Sequence, residues 1–184
     1  MNANLLRLKW LFATVLALAV FVISVFVAVQ VYKAASPVLW ETVHSDVAVK
    51  IEVKKSASGQ MELQGTFKPT RENFHLYSKD LPKKGIRGIG RPTLLEVVSS
   101  PDTIKWTGEL KVDQSPHDIF YQPMNLTLSV YPSGPVTLAL PFEWVGNPGA
   151  VSLELSMTYM ACSDQTCLSP VMDKHFTVTI PSLQ

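Results

Sequence analysis

Residues 152–180 read SLELSMTYMACSDQTCLSPVMDKHFTVTI, and the alternation inside this stretch decides the fold class. From Ser152 to Cys162 the odd positions are Leu153, Leu155, Met157, Tyr159 and Ala161, while the even ones are largely polar. Period-two alternation marks a strand with one face buried. Phe176, Val178 and Ile180 repeat the pattern further on, against His175, Thr177 and Thr179. Placing Cys162 opposite Cys167 leaves Ser163-Asp164-Gln165-Thr166 as a four-residue hairpin loop. Extended along the ladder, that register sets Ala161 against Leu168, Met157 against Met172 and Leu153 against Phe176, all facing inward. Both cysteines then point outward near the tip. Opposed strand residues have Cα atoms ~4.5–5.5 Å apart, within the range a disulfide bridges. A loop this short contributes only about 2 kcal/mol through chain entropy, so exposure and short span favour an exchangeable bond over a staple.

The same alternation recurs upstream in Val47, Val49, Ile51 and Val53, in Met61, Leu63 and Phe67, in Leu126, Leu128 and Val130, and in Val136, Leu138, Leu140 and Phe142. Turn clusters such as Ser56-Ala57-Ser58-Gly59 and Pro132-Ser133-Gly134-Pro135 separate these runs. No soluble segment sustains a helical period. Seven or more short strands in this space predict an all-β, immunoglobulin-like β-sandwich.

The N-terminus differs in kind. Leu11 to Val31 is interrupted only by Thr14, Ser24 and Gln30, which matches the ~20 apolar residues a membrane-spanning helix needs. Arg7 and Lys9 precede it, Lys33 follows, and Trp10 and Tyr32 stand at its ends. The expected organisation is a cytoplasmic N-terminus over 1–10, a transmembrane anchor in the lipid bilayer over 11–32, a linker over 33–45 and the sandwich domain over 46–184, outside the cytoplasm. In that compartment two cysteines form and keep a disulfide.

A net charge of +1 over 184 residues excludes the broad basic field that draws proteins to nucleic acid. The densest cluster, Lys83, Lys84, Arg87 and Arg91, is broken by glycines and reads as a solvated loop. No Ser-His-Asp set, carboxylate pair or phosphate loop can be assigned, so any chemistry rests on the cysteines, and no cofactor is implied.

The run from Tyr159 to Pro170, with its Tyr-x-x-Cys, short acidic-containing loop, second cysteine and following proline, resembles the redox motif of the N-terminal periplasmic domain of the thiol:disulfide interchange protein DsbD family. Phe67-Lys68-Pro69 through Phe74-His75-Leu76-Tyr77-Ser78-Lys79 is similar to that family's segment leading into an aromatic strand. The resemblance covers roughly Val47 to Ile180, and only the cysteine motif is specific. It implies an exchangeable Cys162–Cys167 pair flanked by His75 and Tyr77, and a cap loop corresponding to Asp113–Tyr121 with Phe120 as its aromatic residue. It implies a periplasmic domain anchored in a bacterial inner membrane, exchanging with a thioredoxin-like or membrane redox protein. The family's Pro-Pro after the second cysteine is here Ser169-Pro170, and no multi-helix electron-transfer domain or Cys-x-x-Cys is present, so the implied role is a relay module. Two other readings stay open. One is a tethered immunoglobulin-like interaction module with a structural disulfide. The other is Cu(I) binding by Met160, Cys162 and Cys167 with His75 or His175, although Met157 and Met172 point inward by parity, and the histidines lack metal-ligand spacing.

Overall fold

A computed structural model of the chain describes residues 37–146 and 149–181. The expected anchor over 11–32 lies outside the described residues, and no described helix is long and apolar enough to cross a membrane.

The described residues are all-β. The strands run β1 (Val38–His44), β2 (Val47–Lys55), β3 (Met61–Pro69), β4 (His75–Leu76), β5 (Leu94–Ser99) and β6 (Ile104–Trp106). They continue through β7 (Lys111–Val112), β8 (His117–Tyr121), β9 (Leu126–Val130) and β10 (Val136–Trp144). The last three are β11 (Val151–Tyr159), β12 (Ala161–Cys162) and β13 (Val171–Ile180). One sheet has the order β1-β2-β3-β10-β6, with β7 also on β10, and a second has the order β13-β11-β5. Two small antiparallel pairs, β12–β4 and β8–β9, stand beside them.

Alternation explains how the two sheets meet. Val47, Val49, Ile51, Leu63, Phe67, Val136, Leu138 and Phe142 from the first sheet share one core with Leu95, Leu153, Leu155, Met157, Tyr159 and Val178 from the second. Each such aliphatic or aromatic side chain contributes about 1.5–3 kcal/mol on full burial. Two antiparallel sheets joined this way are consistent with an immunoglobulin-like sandwich. The stretch 33–45, expected as a linker, instead holds β1, which pairs with β2 from His44↔Val47 to Val38↔Glu52. Its side chains are exposed or half-buried, so the apolar alternation that marks a strand in sequence is weak there.

The C-terminal hairpin keeps the expected parity from Phe176 to Ile180, but the register differs, and parity reverses at Val171 and Met172. Cys162 does oppose Cys167, and the Leu168 amide donates to the Ala161 carbonyl at 2.9 Å. Beyond the tip, Tyr159 pairs with Val171, and after an irregularity Met157 pairs with Lys174, Leu155 with Phe176 and Leu153 with Val178. Asp173 takes a left-handed φ of 44°, and its amide donates to the Thr158 hydroxyl at 3.0 Å. Pro170, with no N–H to give a ladder, precedes this bulge. Hence Met172 is exposed rather than opposite Met157, and Phe176 is half-buried, stacked on Trp40 with centroids 4.2 Å apart.

Candidate functional site: a half-covered cysteine pair

Cys162 and Cys167 form a disulfide, with Cα atoms 4.0 Å apart, across the loop 163–166. The loop closes on itself. The Ser163 amide donates to the Thr166 carbonyl at 2.8 Å, and the Ser163 hydroxyl accepts from the amides of Gln165 and Thr166. Local serine chemistry thus sets the turn that opposes the cysteines.

The other wall comes from β4. Cys162 pairs with His75 and Ala161 with Leu76, so His75 shares a face with Cys162. The Tyr77 segment is pinned on both sides. Its carbonyl accepts from the Thr93 amide and hydroxyl, and the neighbouring Ser78 amide donates to the Ser129 carbonyl. Gly90, at φ 70°, lies where a Cβ would sit 3.0 Å from the Tyr77 ring, so only glycine fits without strain. Held this way, the Tyr77 hydroxyl donates to Cys162 Sγ at 3.0 Å. Burial pushes the Tyr77 phenol up to about 12, so it remains a donor at physiological pH. The His75 and Tyr77 rings meet edge to face, 5.6 Å between centroids.

His75 is 8% exposed, and its Nε2 is buried with no hydrogen-bond partner. Burial lowers its pKa from the ordinary histidine value; Asp164 pulls it upward and His117 downward. With the disulfide closed, His75 is therefore neutral at pH 7.

The expectation that both sulfurs are easily reached holds for one cysteine only. Cys167 is exposed, whereas Cys162 is 2% exposed. Cys162 does face away from the sandwich core, but a second apolar cluster covers it. Tyr77, Leu126, Leu128 and Val130 are buried with it, and Ile86, Ile89, Ile119, Tyr121, Met124 and Met160 pack around them. The β8–β9 hairpin supplies Ile119, Tyr121, Leu126, Leu128 and Val130 to this cover. Phe120 is not in the cluster. It is 59% exposed and lines the rim of a cavity of about 360 Å³ that His75, Tyr77, Asp164, Cys162 and Cys167 also line. The share of the cover that comes from β9 was not read from the sequence, because alternation in Leu126, Leu128 and Val130 tells that one face is buried, not against what.

A larger hollow of about 570 Å³ beside β1–β3 is lined by Glu41, Lys50, Lys68 and neighbours, with no thiol or imidazole. Lys83 bridges Glu96 at 2.7 Å and Asp173 at 3.1 Å, and Arg91 donates to the Gly88 and Gly90 carbonyls, so much of the basic cluster is occupied within the fold. His175 sits 2.9 Å from Glu154 and does not line the cysteine cavity, which removes it from the Cu(I) set.

No family model and no curated protein matches the chain. Among solved structures, the chain is similar to the crystal structure of the Neisseria meningitidis DsbD N-terminal domain in the reduced form. The identity is 14% and the TM-score 0.46, with 74% of this chain and 86% of that chain covered. At this score the likeness establishes neither family nor activity.

Proposed function

We propose that this domain is a thiol–disulfide relay module that passes reducing equivalents through Cys162 and Cys167. The observation that carries the reading is the asymmetry of the pair, one cysteine exposed and the other buried with a hydroxyl donor on its sulfur. A partner thiolate attacks Cys167 Sγ, the disulfide breaks, and its electron pair goes to Cys162, which leaves as a thiolate. The partner's second thiol then resolves the mixed disulfide and frees Cys167. Run in reverse, the same steps reduce the next disulfide. The partner is a thioredoxin-like or membrane redox protein, and residues 11–32 hold the domain at the outer side of a bacterial inner membrane, in the periplasm. A purely structural bond is the competing reading. Against it stands the short span, which stabilises by only about 2 kcal/mol.

Redox titration of the full chain in mild detergent against glutathione buffers tests this. A relay equilibrates above about −300 mV, whereas a potential well below that value marks a structural bond and removes the proposal.

Tyr77→Phe is expected to keep the fold, since the ring still fills its site, and to slow reduction by a dithiol roughly 10-fold or more. A hydrogen bond to a charged group is worth about 1.5–3 kcal/mol, and this one stabilises the departing thiolate. Stopped-flow reduction of the variant at the wild-type rate would show that the hydroxyl has no part in the exchange.

A further inference from the structure

We propose that His75 holds the proton that balances the Cys162 thiolate when the disulfide opens, which makes it a positioning residue for the relay. The inference rests on the relay reading above and adds a residue role to it.

The argument begins with the surroundings of Cys162. At 2% exposure, a thiolate there loses most of its hydration, and a buried anion without a counter-charge is costly. The Tyr77 hydroxyl gives one hydrogen bond but no charge. Among the described residues no lysine or arginine lines the cavity, and its carboxylate, Asp164, has the wrong sign to help. His75 is directly opposite Cys162 on the β4–β12 ladder and lines the same cavity. Its Nε2 is buried and unused while the disulfide is closed, so a nitrogen is free there to take a proton. The groups that bear on the ring are Asp164 from the hairpin loop, His117 from β8, and the hydroxyls of Tyr77 and Tyr121. Asp164 favours the protonated ring and His117 opposes it. Burial keeps the ring neutral until an anion forms beside it, and opposite charge at ~4–6 Å reverses that preference.

The step balances as follows. A thiolate of a protein dithiol attacks Cys167 Sγ, the S–S bond breaks, and the electron pair comes to rest on Cys162 Sγ. His75 Nε2 takes up, through solvent, the proton the attacking thiol released on ionising, giving an imidazolium to balance the thiolate. The partner's second thiol attacks its own sulfur in the mixed disulfide, and Cys167 leaves with the proton that thiol gives up. The partner is oxidised by two electrons, the cysteine pair is reduced by two, and the proton taken up through solvent remains on His75.

The test is a pH titration of the His75 imidazole by nitrogen-detected NMR on the full chain in mild detergent, once with the disulfide closed and once after reduction by a phosphine. The midpoint is expected to be higher in the reduced protein by roughly 1–3 pH units. In parallel, the ultraviolet absorbance of the thiolate should appear at lower pH in wild type than in His75→Phe. His75→Gln, which keeps a polar side chain, serves if the phenylalanine variant fails to fold. A His75 midpoint that does not move on reduction overturns the inference. If protein dithiols still exchange normally in that case, the relay reading survives alone. Absence of dithiol exchange overturns both, because the phosphine sets the redox state without it.

Discussion

A Cys162→Ala variant is expected to react with a small aromatic disulfide at least about 10-fold faster than the converse Cys167→Ala variant, because thiol reactivity follows exposure as well as thiolate fraction. The first leaves Cys167, which lies exposed at the hairpin tip. The second leaves Cys162, which is 2% exposed beneath Leu126, Leu128, Val130 and Tyr77. The same split governs trapping. Cys167 alone accumulates a mixed disulfide with an activated dithiol partner, and Cys162 alone does not, although either substitution abolishes turnover. The measurement is release of the coloured thiolate over time, in the full chain, at one pH. Equal rates would mean that the β8–β9 cover opens faster than the reagent reacts, and the assignment of Cys167 as the entry sulfur would fall. Loss of the fold is not the expected complication, since the disulfide itself contributes only about 2 kcal/mol.

Tyr159→Ala should lower the free energy of unfolding by about 3–5 kcal/mol, a large part of the ~5–15 kcal/mol that stabilises an ordinary domain. Tyr159 is fully buried on β11, three residues before Cys162, and its ring meets Phe67 of β3 edge to face with centroids 5.5 Å apart. That contact joins the two sheets. Its hydroxyl donates to the His44 carbonyl at 3.0 Å, at the end of β1. Burial pushes this phenol up to about 12, so the donor persists across the usable pH range. Tyr159→Phe removes only the hydroxyl and should cost about 1 kcal/mol. Urea unfolding at constant m reads both. A loss below about 1 kcal/mol for the alanine variant would show that the core closes around the missing ring, against the packing argument. Because β12 follows directly from Tyr159, the alanine variant should also speed alkylation of Cys162 after reduction.

Much of the architecture was legible in the chain. The alternations in β2, β3, β10 and β11 carry the all-β class, since a period of two has one physical meaning, a pleated surface with one wet and one dry side. The opposition of Cys162 and Cys167 also followed from local parity and a short polar loop. The place of His75 and Tyr77 did not follow from parity and came only from the motif resemblance; in the fold His75 pairs with Cys162 and the Tyr77 hydroxyl reaches its sulfur.

What the chain order could not state was what lies on the other side of each face. The bulge at Asp173, whose amide meets the Thr158 hydroxyl across the ladder, buries Val171 in place of Met172, and parity returns only beyond it. β1 has little alternation of its own, and pairing with β2 makes it a strand. The accessibility of the cysteines turned on the same point. Parity turned both away from the sandwich core, but whether that direction meets water depends on β8, β9 and the loop bearing Ile86 and Ile89, which are distant in sequence. Local periodicity is a property of the backbone's own repeat, whereas burial is a property of whatever packs against it. The sequence by itself therefore determined the strands and the cysteine hairpin, and only the tertiary structure decided that Cys162 is covered and Cys167 is open.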